Sequence, residues 1–395
     1  MRRGIAAGNV FQTRRPGRMK PTSLNLTVSL ADQLFAQTKS VGIFNLSLGL
    51  VEQLARRPEF SRLTVLANRT LAGRLATTLD VRWHDAPARG RLARIWWDQC
   101  GVYAAAAAVG NDWLFLPKGF ASFVRPCPQR LAACVADTIH DFYRTKYPQS
   151  VSALEQWYFV RSFWGTVRHA QVLFTISDFT SGEVARLARA RGVTAPPIHT
   201  LGIGFTRPVA SAVAKENRLC VLASPFPHKR TGLAVEWLAR WQRESGFAGE
   251  VDWVGRLPAG LALPDFPNWK SHERLPEEGY RRLLARSKAL VFFTEYEGFG
   301  MPPVEAALAG ACPVFSAIPA TREVMGECGY SFENSDYESF RVATNSALGV
   351  PREQVAVWAE QLLARHNWDL VLDRFAAGLQ GARARSGSDQ GTVAR

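Results

Sequence analysis

The sequence predicts an α/β chain of two doubly wound, Rossmann-like domains facing across a cleft. Three observations predict it. Short apolar strand-like runs alternate with helical segments. The alternation stops at a Pro- and Gly-rich stretch and then starts again. The 395-residue length is that of two domains.

The elements follow in order. "SLNLTVSL" (23–30) alternates apolar and polar residues, as a strand does, and "IFNLSLGLVEQLARR" (43–57) has helical spacing. "LTVLAN" (63–68), "DWLFLP" (112–117) and "ACVADTIHD" (133–141) read as strands running into polar loops. "ALEQWYFVRSFWGTVRHA" (153–170) is a helix and "VLFTIS" (172–177) a strand. "DFTSGEVARLARARG" (178–192) is a helix with acids early and arginines late, as its dipole prefers, and Gly192 is a natural C-cap. "TAPPIHTLGIGFTRPVASAVAKEN" (194–217) reads as the linker. The second series has strands "RLCVLAS" (218–224), "EVDWVG" (250–255), "ALVFF" (289–293) and "CPVFSA" (312–317), with helices between. Strands alternating with helices give parallel sheets, and their ligands bind beyond the strands' carboxyl ends.

Composition removes several classes. No apolar run is long enough to span a bilayer, and the basic N-terminus lacks the apolar core of a secretory signal. Six scattered cysteines without a C-x-x-C pair suit reduced thiols, and seven dispersed histidines suggest no structural metal. Charge is uneven: +6 over residues 1–20, +9 over 21–210 and −1 over 211–395. Forty of the 48 basic residues are arginine, so part of the excess is attributable to compositional bias, but not the asymmetry. A basic half predicts an anionic partner.

One stretch carries chemistry. "EYEGFGMPPVE" (295–305) follows an apolar strand and precedes an alanine-rich helix. Glu297 and Glu305 have seven residues between them. Gly298 and Gly300 let backbone N–H groups approach a ligand, and a helix starting near Pro303 turns its positive end toward a phosphate. Glu305, placed in the first turn, can point at the same ligand. Two carboxylates flanking a phosphate site suit a nucleotide-sugar.

The stretch "EGFGMPPVEAALAGACPVFSAIPATREVMG" resembles the E-x7-E donor motif of retaining GT-B glycosyltransferases of the glycosyltransferase-4 (glycosyl transferases group 1) family. "SVGIFNLSLGLVEQLA", "VADTIHDFYRTKYP", "TISDFTSGEVARLA", "PHKRTGLAVEWLARW" and "HNWDLVLDRFAAGL" agree in order, so the resemblance spans roughly residues 23–380. It implies that Glu305 hydrogen-bonds the donor ribose and Glu297 the transferred sugar, with Gly298, Phe299 and Gly300 offering backbone N–H groups. Lys229, in "SPFPHKRTG", would neutralise the diphosphate. The family's upstream Arg is missing: its position falls near Ala223, and Arg230 is the candidate substitute. His140, taken as a strand-end residue, would lie near the reacting centre, with Asp141 beside it as a cap. Gly42 would bring backbone to the diphosphate from the first domain. The implied catalytic set is Glu297, His140 and Lys229, with no metal and no cofactor beyond the donor substrate.

The implied activity is transfer of a hexosyl or deoxyhexosyl group from a nucleotide-diphosphate-sugar to an acceptor hydroxyl with retention. The implied setting is bacterial cell-surface polysaccharide or glycolipid assembly, in the cytoplasm or peripherally on the plasma membrane's inner face. Partners are the nucleotide-sugar donor, a saccharide or lipid-linked acceptor and an anionic membrane surface. "RGRLARIWWDQ" (89–99) has the composition of an interfacial segment, or of an ordinary amphipathic helix with buried tryptophans. A pI of about 9.9 also suits a nucleic-acid-binding protein, which leaves Glu297 and Glu305 without a task, so no nucleic acid partner is expected. A catalytically silent GT-B scaffold stays open. The expected domains are 21–205 for the acceptor, plus a crossover helix at 366–380, and 214–365 for the donor. Residues 1–20 are expected to be a disordered arm or a misassigned start, and 381–395 a disordered tail.

Overall fold

The computed structural model describes residues 23–34, 41–207 and 213–392. Expectations for residues 1–20 and 393–395 lie outside them.

Two parallel sheets follow one another along the chain. The first has seven strands in the order β3-β2-β1-β4-β5-β6-β7. They are β1 (Asn25–Ser29), β2 (Arg62–Ala67), β3 (Asp80–Trp83), β4 (Trp113–Leu116), β5 (Arg130–Val135), β6 (Val172–Thr175) and β7 (Ile198–Thr200). The second has six in the order β10-β9-β8-β11-β12-β13. They are β8 (Glu216–Leu222), β9 (Glu250–Val254), β10 (Trp269–His272), β11 (Ser287–Phe292), β12 (Cys312–Ser316) and β13 (Tyr330–Phe332). In each sheet the chain reverses its direction of winding between the first and fourth strands. That point, β1/β4 and β8/β11, is where such sheets open a crevice at their carboxyl ends.

The helices of the first half are α1 (Val41–Leu54), α2 (Arg91–Trp96), α3 (Val102–Val109), α4 (Ile139–Lys146), α5 (Ala153–His169) and α6 (Asp178–Ala190). Those of the second are α7 (Thr231–Ser245), α8 (Glu277–Arg286), α9 (Met301–Leu308), α10 (Pro319–Met325), α11 (Tyr337–Gly349), α12 (Arg352–Arg365) and α13 (Trp368–Thr392). The central strands read as continuous apolar runs because helices cover both faces: Leu26, Val28, Leu290 and Val291 are fully buried.

The strands missed by sequence share a cause. β3, β7, β10 and β13 are short edge strands without an apolar run. The linker stretch therefore contains the last strand of the first sheet, β7, and runs into β8.

The last helix returns to the first sheet. Phe375 of α13 sits 4.9 Å from Phe115 and 4.8 Å from Phe174, ring to ring. Trp368 lies where side chains on Gly49 and Gly204 would be. α13 does not stop at 380. It runs to Thr392, so the tail expected to be disordered is helical through that residue. Ala382 is buried and Arg383 donates to the Ser23 carbonyl at 3.1 Å, so the ends of the described chain meet.

Candidate functional site

The site forms where the loops after β8 and β11 meet, at the reversal point of the second sheet. The loop after β8 carries His228, Lys229 and Arg230 into α7. The loop after β11 carries Thr294, Glu295 and Glu297. They are tied together: the Glu295 N–H donates to the His228 carbonyl at 2.7 Å. The Lys229 ammonium pairs with Glu297 Oε1, which also accepts from Thr294 Oγ1 at 2.9 Å. Lys229 also lies 5.2 Å above the Phe292 ring, so its charge sits between a carboxylate and a π face.

Gly298 and Gly300 have different reasons to be glycine. Gly300 caps α9 at φ +88°, a left-handed conformation costly for other residues. A side chain on Gly298 would meet the Ala136 carbonyl at 2.0 Å, so two backbones touch across the domain boundary. The amide groups of Gly298, Phe299 and Gly300 have no hydrogen-bond acceptor among the described residues. Phe299 itself is buried, 5.2 Å from the His366 ring. α9 begins at Met301, not Pro303, with its prolines in the opening turn where no N–H is needed. Glu305 is therefore one residue beyond the first turn. Its carboxyl makes no hydrogen bond or ion pair with the described residues. Burial pushes it up to about 7, Glu277 adds to this and Arg281 opposes it. Nearby, the buried Tyr280 hydroxyl has no partner among the described residues, and burial raises it well above the usual phenol range.

The first domain reaches this site from two sides. Gly42, in the opening turn of α1, faces Met301: a side chain there would come within 3.1 Å of the Met301 sulfur. The amino ends of α1 and α9 thus converge. From β5 comes the segment Ala136–His140. β5 ends at Val135, and His140 lies in the first turn of α4, so it is a helix residue and not a strand-end residue. The short helix was hidden because β-branched and aromatic residues surround it. The His140 ring packs 4.8 Å from Phe163, and burial pushes it down to about 4, so it is neutral near pH 7. Asp141 does not cap the helix. It pairs with Arg144 at 2.6 Å and Arg186 at 3.4 Å. The amide of Ile139 is taken by Asp137 at 3.0 Å.

Several residues here were not singled out from sequence. Burial raises the Asp137 carboxyl, and Glu297 adds to it, while the Ile139 N–H and Lys229 pull the other way. The two domains are also joined directly. Tyr296 hydroxyl lies 2.7 Å from Thr138 Oγ1, and Ser177 Oγ donates to the Gly298 carbonyl at 2.5 Å. Glu323 accepts from both the Asp178 and Phe179 amides at 2.7 Å, capping α6 from the other domain. Arg230, left-handed at φ +51°, pairs with Glu295 at 2.9 Å, as does Lys146 at 3.1 Å. Its guanidinium is therefore engaged by a carboxylate. A second polar cluster occupies the reversal point of the first sheet. There Lys118 pairs with Asp32 at 2.7 Å, and Tyr158 donates to Asp98 at 2.7 Å. Among the described residues, no group of three or more His, Cys, Asp or Glu could hold a metal ion, and no helix is long and apolar enough to cross a membrane. All six cysteines are free.

Comparison with known proteins bears on the fold. Two solved structures share the whole architecture. A sucrose-phosphate synthase from Thermosynechococcus elongatus matches with a TM-score of 0.65 and 14% identity, covering 92% of this chain and 100% of that one. HepE of Anabaena, solved in complex with UDP and glucose, matches with a TM-score of 0.62 and 15% identity, over 91% of this chain and 100% of that one. The fold is GT-B. Residues 267–361 match the family Glycosyl transferases group 1, a segment that contains both Glu297 and Glu305. A 73-residue stretch is 37% identical to a protein of Sulfolobus islandicus filamentous virus named as a candidate glycosyltransferase. That match spans 18% of this chain and about a fifth (20%) of the viral protein. The chain is thus similar to group 1 glycosyltransferases, most closely in the half of the GT-B fold that carries Glu297 and Glu305.

Proposed function

We propose that the protein transfers a hexosyl or deoxyhexosyl group from a nucleotide-diphosphate-sugar to an acceptor hydroxyl, with retention at the anomeric carbon. One observation carries this reading: Glu297, held by Lys229 and Thr294, stands beside free backbone amides at the amino end of α9, directly opposite the amino end of α1. Two helix N-termini and an ammonium form a positive seat for a diphosphate.

In this reading Glu305 accepts the ribose hydroxyls, and the amides of Gly298, Phe299 and Gly300 meet the sugar. Lys229 faces the diphosphate. As the anomeric C–O bond breaks, its electron pair moves to the diphosphate oxygen, which takes the acceptor's proton while the acceptor oxygen bonds the same face of the carbon. Lys229 and the helix ends stabilise the charge that grows on the leaving group. Glu297 steadies the sugar's hydroxyls and the positive charge on its ring. Neutral His140 is suited to a hydrogen bond at the reacting centre, not to a fixed cation. No metal or cofactor is assigned a step. The reading is supported in part by HepE, which was solved with UDP and glucose. An acceptor in bacterial cell-surface polysaccharide or glycolipid assembly fits the basic first half.

The test is a thermal-shift screen of the full chain with UDP-, GDP-, ADP-, CMP- and dTDP-sugars. A ligand that binds only the folded state raises its melting temperature. One nucleotide class should stand out, and incubation of that donor with candidate acceptors should yield an α- or β-linkage matching the donor. No shift with any donor, or an inverted product, would refute the proposal.

A further inference from the structure

The first domain exposes more large apolar side chains than the second. Of the nine large apolar residues standing exposed among the described residues, seven belong to the first half of the chain. Six of these lie on three neighbouring segments. Leu92 (83% exposed), Ile95 and Trp96 (57%) are on α2, Val124 (64%) is on the turn after Ser122, and Leu154 (74%) and Trp157 (48%) are at the start of α5. The segments are fastened to one another. The Phe123 N–H donates to Gln99 Oε1 at 3.0 Å, and the Ser122 N–H to the Tyr103 hydroxyl at 2.6 Å. On the other side the Phe123 ring lies 5.5 Å from that of Trp157. One exposed leucine is ordinary, but apolar side chains gathered on adjoining segments mark a contact surface.

The tryptophan pair in "RIWW" is split by this arrangement. Trp97 is buried at 3%, whereas Trp96 faces out. The turn that follows, Trp97–Gly101, is a π-helix. Its extra residue per turn shifts the register between α2 and α3, so that α2 can leave its own side chains on the surface.

The rim is cationic. Arg89, Arg91, Arg94 and Arg125 are exposed, and none makes an ion pair among the described residues. The nearby acids are already engaged: Asp85 pairs with Arg69 at 2.9 Å, and Asp98 accepts from Tyr158. In the second domain exposed arginines of both kinds occur: Arg240, Arg281, Arg282, Arg286, Arg322 and Arg341 each have a carboxylate partner, while Arg243, Arg256, Arg274 and Arg352 have none among the described residues. What sets the four first-domain arginines apart is their place beside the apolar patch.

We propose that this surface of α2, the 122–125 turn and the start of α5 docks on an anionic lipid bilayer. Its apolar side chains enter the boundary between headgroups and acyl chains, and Arg89, Arg91, Arg94 and Arg125 face lipid phosphates. Nucleic acid fits less well, because beside Trp96 and Trp157 the patch consists of Leu92, Ile95, Val124 and Leu154, which offer no ring on which a base can stack. The surface adjoins the reversal point of the first sheet. Asp98, two positions after Trp96, lines a cavity there with Asp32 and Lys118. A docked bilayer would thus lie next to the crevice in which the first domain takes its ligand.

The experiment is co-sedimentation of the full chain with phosphatidylcholine vesicles, with and without phosphatidylglycerol, at low and high salt. Neither donor nor acceptor is present, so the outcome is independent of the proposed glycosyl transfer. Binding should require phosphatidylglycerol and fade with salt, because the screening length falls from about 10 Å at 0.1 M to about 3 Å at 1 M. Arg91→Ser with Arg125→Ser should weaken partitioning on the order of fivefold for each arginine. Leu92→Glu with Val124→Glu should abolish it, with circular dichroism melts showing that both variants fold. Equal sedimentation with and without phosphatidylglycerol, no sedimentation at all, or unchanged binding of the Leu92→Glu, Val124→Glu variant would overturn the proposal. So would retention of a DNA oligonucleotide by a chain that ignores vesicles.

Discussion

Replacing Glu305 by Gln should make the free protein more stable and its nucleotide complex weaker, two effects of opposite sign from one atom change. The carboxyl is half-buried, has no partner among the described residues, and is pushed by desolvation from 4.5 up to about 7. Because the folded-state value is raised, its contribution to stability is fully present below about pH 4.5 and is lost as pH climbs through about 7. A tenfold change in proton affinity is worth about 1.4 kcal/mol, so at pH 8 the ionised carboxylate costs the free protein on the order of 3 kcal/mol. Glutamine removes that cost. It also removes a charge-assisted hydrogen bond to ribose, worth roughly 1.5–3 kcal/mol, or about a 10- to 150-fold loss in affinity. The assays are thermal melts of both proteins at pH 4 and pH 8, and calorimetric titration with UDP, GDP and ADP at pH 8. The variant should melt alongside the parent at pH 4, melt higher at pH 8, and bind its preferred nucleotide more weakly. A lower melting temperature at pH 8 would mean that the carboxylate is satisfied in the free protein. Unchanged nucleotide affinity would remove Glu305 from the ribose site.

Lys229→Ala should lower kcat about 10²- to 10³-fold, the range for losing one preorganised stabiliser of developing charge. Arg230→Ala should cost less than about tenfold, because that guanidinium is held by Glu295; steady-state kinetics with the donor found by the screen compares them, and a larger loss for Arg230 would reverse the assignment. Gly298→Ala places a methyl group 2.0 Å from the Ala136 carbonyl, where the domains touch. Overpacking of this kind costs about 1–3 kcal/mol, so its melting temperature should fall, and an unchanged melt would show that the contact yields freely.

The order of winding can be read from the chain because central parallel strands are buried on both faces and appear as apolar runs. The edge strands cannot, since β3 (Asp80–Trp83) and β10 (Trp269–His272) are half solvated and carry charge. Glu297 and Glu305 are legible for a different reason. Glycines and prolines constrain the backbone locally, so "EGFGMPPVE" announces a turn and a helix start without any knowledge of distant contacts. Periodicity places His140 in the wrong element because only three residues separate the end of β5 from α4, too few for a change of period to register.

The positions that sequence could not supply are those whose role depends on the other domain. Arg230 is the clearest case. Along the chain it is the natural substitute for an arginine missing near Ala223, because it follows Lys229 directly. In the structure its left-handed backbone turns it away from its neighbour, and it joins Glu295 together with Lys146 and Tyr147 from α4 and the turn that follows it. Tyr143 of the same helix meets His228 at 2.7 Å. These contacts fasten the loop that bears Lys229 to the first domain. A second cation facing the diphosphate would have to break that fastening, giving up a half-buried ion pair. In the proposed function the residues around Lys229 hold it in place, and the rest of the positive seat falls to the backbone amides at the amino ends of α1 and α9, which leave no charged signature in the sequence.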